Sequence, residues 1–139
     1  MHLLDVNVWL AMAFKRHTKH APAVAWFRAA TARCLFCRLT QAGFLRLASN
    51  PSAMGSAGVS LADAWRTYDA LLADPNVAFV DEPTGLEAIW RFNTQSLMFS
   101  PKVWNDAYLA AFGQLAGFTV ITFDQGFSQF ANVPVTILK

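Results

Sequence analysis

Charge is scarce in this chain. Only 14% of its 139 residues are Asp, Glu, Lys or Arg, against 55% hydrophobic ones, and the formal net charge is +2. So small a surplus gives nucleic-acid binding no footing from charge alone. Little charge together with a mean hydropathy of +0.30 implies a full core, with apolar surface left over for a partner subunit, so a homodimer is expected. There is no apolar run of the roughly 18 residues needed to cross a bilayer. The opening MHLLDVNVWLAM has no basic n-region and carries Asp5 inside its apolar stretch, which argues against a signal peptide. A cytoplasmic protein without membrane contact is the expectation. Repeats and low-complexity tracts are absent, and the length is that of one domain, residues 1–139. Cysteine is scarce too. Cys34 and Cys37 form a CxxC, but inside an apolar stretch that reads as a strand, where residues three apart point to opposite faces. Two inert core thiols are expected.

What is present is an alternation of short apolar runs and helical periodicity. Strands are expected at His2–Leu4, Arg33–Cys37, Val77–Val80, Phe118–Phe123 and Val135–Leu138. Helices are expected near Val6–Phe14, Ala21–Thr31, Thr40–Ala48 and from Ser60 through Leu72. Two more follow, from Thr84 through about Asn93 and from Ser100-Pro101 to Ala116. Ser60 with Asp63 and Thr84 with Glu87 read as capping boxes, and Gly117 suits a helix C-terminus. Residues 51–59, PSAMGSAGV, read as a loop after the stop signal Asn50-Pro51. Strands alternating with helices predict an α/β fold: a parallel central sheet between two helical layers, with strands buried on both faces.

Two aspartates stand where an apolar strand has just ended: Asp5 after His-Leu-Leu and Asp124 after Thr-Val-Ile-Thr-Phe. Ligands of open α/β sheets bind outside those carboxyl ends. Asp106 lies on a helix whose neighbours are nearly all apolar or aromatic, where a carboxylate is costly unless it is paired or bound to metal. The three offer hard oxygen ligands of the kind Mg²⁺ or Mn²⁺ takes, and no Cys/His set of zinc spacing competes. No Ser/His/Asp grouping is evident either.

The opening Leu-Leu-Asp-Val-Asn-Val, the central Thr40–Leu47 (TQAGFLRL), Asn105–Ala111 (NDAYLAA) and Ile121–Phe127 (ITFDQGF) resemble, in order, the successive signatures of PIN domains. The similarity is greatest to the VapC toxins of bacterial toxin–antitoxin modules. The resemblance implies a helix-sandwiched parallel sheet, Mg²⁺-dependent RNA cleavage by a metal-activated water, and a cognate antitoxin. It implies Asp5, Asp106 and Asp124 as metal ligands, with Asn7, Thr122 and Gln41 in support.

One departure stands out. Where such domains carry a further acid, usually Glu, this chain has Gly43. Three carboxylates are then expected to hold at most one well-ordered Mg²⁺ without RNA, mainly through Asp5 and Asp106, with Asp124 acting partly through water. Gly43→Glu is expected to tighten metal binding if the backbone there is ordinary helix. Gly43 also supports an alternative, a PIN-type fold that has lost catalysis and only binds antitoxin or RNA. A haloacid-dehalogenase-like phosphatase would need a second Asp two residues after the first, where this chain has Asn7. Lys15, Arg16 and Lys19, in the segment after the first helix, and Arg46 are candidate RNA-phosphate contacts.

Overall fold

Strands and helices alternate along the chain in the computed structural model, which describes residues 1–55 and 58–139. In order they are β1 (His2–Leu4), α1 (Val6–Ala13), α2 (His20–Ala29), β2 (Cys34–Phe36), α3 (Arg38–Ala48), α4 (Pro51–Met54) and α5 (Leu61–Leu72). There follow β3 (Val77–Phe79), α6 (Leu86–Thr94), α7 (Val103–Ala116), β4 (Thr119–Thr122), a 3-10 helix over Gln125–Gln129 and β5 (Val135–Ile137). The sheet has five strands in the order β3-β2-β1-β4-β5, all parallel.

Strand alternation divides the core into two layers. Leu3, Leu35 and Val120 face one side and pack against α7 residues such as Leu109 and Phe112, with Leu86 of α6. Leu4, Phe36 and Ile121 face the other and pack against Val8 and Trp9 of α1, Phe44 of α3 and Tyr68 of α5. This is the expected three-layer α/β/α arrangement. The CxxC follows the same rule. Cys34 packs into the second layer and Cys37 into the first, both thiols are free and buried, and burial pushes that of Cys34 up to about 12.

Three local expectations are corrected. The stretch read as a loop opens with α4, because Asn50 is an N-cap: its side chain accepts from the Ser52 amide, and Pro51 takes the first helical position. A stop signal for α3 is thus also a start signal; Ser56 and Ala57 of that loop lie outside the described residues. Thr84 does not cap α6. Gly85, at φ 90°, takes the N-cap position in a left-handed conformation that favours glycine. Ser100-Pro101 makes a turn rather than a cap, with the Val103 amide donating to the Ser100 carbonyl at 3.2 Å, so α7 begins after Lys102.

Candidate active site

β1 and β4 lie side by side, but the strands beyond them run outward in opposite directions, through β2 and β3 on one hand and β5 on the other. At such a reversal the connecting helices part and leave a crevice at the carboxyl ends of the strands. Asp5 follows β1 directly, and Asp124 follows the end of β4 by two residues.

Thr122, the last residue of β4 and fully buried, joins them. Its hydroxyl donates to Asp5 Oδ2 at 2.8 Å and accepts from the Asp124 amide at 3.0 Å and from Asn7 Nδ2 at 3.3 Å. That uses its one donor and both acceptor positions. Asn7 Oδ1 accepts from the Phe123 amide at 3.3 Å, clasping α1 to the end of β4. Asp5 Oδ1 caps α1 by accepting from the Val6 amide at 2.7 Å. Each Asp5 oxygen thus has one partner and room for another. Burial pushes the Asp5 carboxyl above the ordinary range, against the opposing pull of these hydrogen bonds.

Asp106 enters from the start of α7. It is only 8% exposed, and burial, then the charges of Asp5 and Asp124, push its carboxyl up to about 7. Asp5 and Asp106 line one cleft of about 530 Å³, walled by Asn7 and Leu10 of α1 and by Leu39, Gly43 and Arg46 of α3.

Asp124 is placed differently. Its Oδ1 accepts from the Gly126 amide at 2.8 Å, capping the 3-10 helix, and its Oδ2 accepts from Lys102 Nζ at 3.2 Å. The Gly126 bond, with Lys102, holds its carboxyl below the usual range. It does not line the cleft. Among the described residues no three of His, Cys, Asp and Glu stand together as a ready-made metal cage. The donor chemistry nonetheless suits Mg²⁺. This ion is commonly held by one or two carboxylates, with waters and substrate phosphate completing its shell. Asp5 with free lone pairs and Asp106, buried beside other acids, are two such carboxylates.

The other predicted residues divide. Gln41 accepts a hydrogen bond from Arg38 and faces Tyr68, so the structure does not bring it to the cleft. Leu39, Ala42, Gly43 and Arg46 share the cleft-facing side of α3, which leaves position 41 outside it. Arg46 stands exposed on the cleft wall. Lys15, Arg16 and Lys19 are exposed on the α1–α2 turn, and the Lys19 ammonium lies 5.8 Å from the Phe123 ring, next to Asp124. Lys102 was not singled out from sequence, although it stands four residues before Asp106, one helical turn away.

The PIN domain family matches residues 2–133. Ribonuclease VapC41 of Mycobacterium tuberculosis is 39% identical over 144 residues, covering 99% of both chains. Among solved structures, the fold resembles that of M. tuberculosis VapC20, described as a sarcin-ricin loop cleaving toxin, with a TM-score of 0.71, 15% identity and full coverage of both chains. It also resembles VapBC2 of Rickettsia felis bound to a DNA fragment from its promoter, with a TM-score of 0.71, 11% identity, and coverage of 99% of this chain and 98% of that one.

Proposed function

The chain belongs to the PIN-domain family, and from that premise we propose that it is a Mg²⁺-dependent endoribonuclease, the toxin of a toxin–antitoxin module. The observation that carries this reading is the pair Asp5 and Asp106 on one cleft at the point where the strand order reverses. Asp5 and Asp106 would hold the divalent ion, Mg²⁺ or Mn²⁺, with Asp124 assisting from beyond the cleft. The bound ion supplies the positive charge and Lewis acidity that hydrolysis of an anionic phosphodiester requires.

The protein's own groups do the rest. Thr122 and Asn7 fix the rotamer of Asp5, so its free lone pairs stay aimed outward. Asp106, its carboxyl raised to about 7 by burial and by Asp5 and Asp124, would serve as a ligand in its ionised form. Arg46 on the cleft wall and Lys15, Arg16 and Lys19 on the α1–α2 turn draw in RNA phosphates, an attraction that weakens as salt rises. Among the described residues no helix is long and apolar enough to span a membrane, and we place the protein in the cytoplasm, with a cognate antitoxin and a second copy of itself as partners.

The test is cleavage of RNA with Mg²⁺ and with EDTA. Wild type should cut only with the ion, and Asp5→Asn or Asp106→Asn should lower the rate by about 10²-fold or more, the scale for removing one such electrostatic group. Asp124→Asn should retain more activity. The alternative, binding without catalysis, is favoured by Gly43 and by Asp124 standing outside the cleft. Folded wild type that binds RNA and Mn²⁺ but never cuts would establish it.

A further inference from the structure

A positive charge is already built into this acidic site. Lys102 immediately precedes α7, and its ammonium donates to Asp124 Oδ2 at 3.2 Å. It lines the same cleft as Asp5 and Asp106, and it feels the charges of Asp124, Asp106 and Asp5. Gly43 lines the cleft from α3, at the position where the resemblance to PIN domains implies a further acid. Three carboxylates, the Lys102 ammonium and the Arg46 guanidinium on the cleft wall leave a formal charge of −1, which one divalent ion already more than balances. Asp124 is held by Lys102 and by the Gly126 amide in a position outside the cleft, so in this arrangement it does not help build a second ion site there.

We propose that Lys102 is the site's second cation: a tethered ammonium that holds Asp124, limits the RNA-free site to one divalent ion, and stays beside that ion to meet the substrate's phosphate. The lysine is a positioning and charge-setting residue. Its side chain is 68% exposed, so it can turn from Asp124 toward an incoming phosphate without disturbing the core. The inference rests on the metal-dependent reading of the cleft, and the experiment separates the two.

The experiment is calorimetric titration of the full chain with Mn²⁺ at fixed pH, without RNA. Wild type should take up one ion. Lys102→Met should bind Mn²⁺ at least about tenfold more tightly, because a like charge has left the site and Asp124 is released. Lys102→Arg should behave as wild type. In the Asp124→Asn background the gain from Lys102→Met should shrink to less than half, since the released ligand is gone. A second readout needs no metal. In EDTA, a non-cleavable 2′-O-methyl RNA should bind Lys102→Met several-fold more weakly than wild type. Two ions in wild type, unchanged affinity in Lys102→Met, or an undiminished gain in the Asp124→Asn background would overturn the role of Lys102. Wild type that binds no Mn²⁺ at all would overturn the metal reading itself. Circular dichroism of each variant confirms the fold, and substitution of a largely exposed lysine leaves the core untouched.

Discussion

A carboxylic acid surrounded by apolar side chains keeps its proton unless something positive or hydrogen-bonding compensates. Asp106 is in that position. Its partners are other acids, and Lys102 offsets them only in part. In an unfolded chain this carboxyl ionises near its ordinary value of 3.8, whereas in the native protein it holds its proton up to about 7. Between those values the native state binds the extra proton. The stability that Asp106 contributes is therefore complete below the lower value and lost as pH rises through the upper one, by at most about 4 kcal/mol at 1.36 kcal/mol per unit. In EDTA, the melting temperature should fall between pH 5 and pH 8, and fall less in Asp106→Asn. Added Mn²⁺ should remove most of the difference, because the ion favours the ionised form. A wild type and Asp106→Asn with parallel pH profiles would refute this account.

At the level of elements, the site depends on how closely α1 and α3 approach. Gly43 has an ordinary helical backbone, the condition for adding a side chain there. The space is nevertheless taken: a Cβ on Gly43 would come within 2.7 Å of Val6 Cγ2. Val6 is β-branched, so making room requires its side chain to change rotamer or the two helices to shift. Any gain in metal binding from Gly43→Glu would therefore be opposed by the cost of moving Val6 or parting the two helices. Gly43→Ala gains about 1 kcal/mol of helix propensity but loses about 1–3 kcal/mol to overpacking. It should be neutral to destabilising by up to about 2 kcal/mol in urea denaturation. In a Val6→Ala background the same change should turn stabilising. Equal effects in both backgrounds would show that the contact does not limit the approach of the helices.

On the scale of the whole molecule, the low charge content leaves apolar surface uncovered. Phe92 of α6 and Met98, Phe99 and Trp104 around the start of α7 are 65%, 90%, 81% and 57% exposed. A two-fold dimer needs one self-complementary patch, and Met98, Phe99 and Trp104, which line one shallow depression at the start of α7, form a candidate. We expect sedimentation equilibrium to show a dimer at micromolar concentration. Its interface should bury at least about 1,000 Å² in total. Phe99→Asp should weaken association at least about tenfold by placing a charge in that apolar contact. A wild type that stays monomeric throughout would exclude the second copy as a partner.

The alternation of apolar strand runs with helical periodicity already determined the layered parallel fold, because only a sheet covered on both faces can bury strands that are apolar on both sides. It also determined that Asp5 and Asp124 follow strands and that Asp106 sits on an apolar helix. Local signals were legible where one residue decides the outcome, as with Ser60 capping α5 and Gly117 ending α7 at φ 73°. They failed at Thr84 and Ser100, where a neighbouring glycine or a preceding turn took over the helix start. Spacing along the chain could not reveal the distances between elements that meet only in three dimensions. Tertiary structure alone decided that Thr122 joins Asp5 to Asp124, that Gln41 turns away, that Val6 fills the space above Gly43, and that Lys102 reaches Asp124 across 22 positions of sequence. Each depends on which helix faces lie against one another once the strand order reverses between β1 and β4, a long-range packing outcome that no single segment encodes.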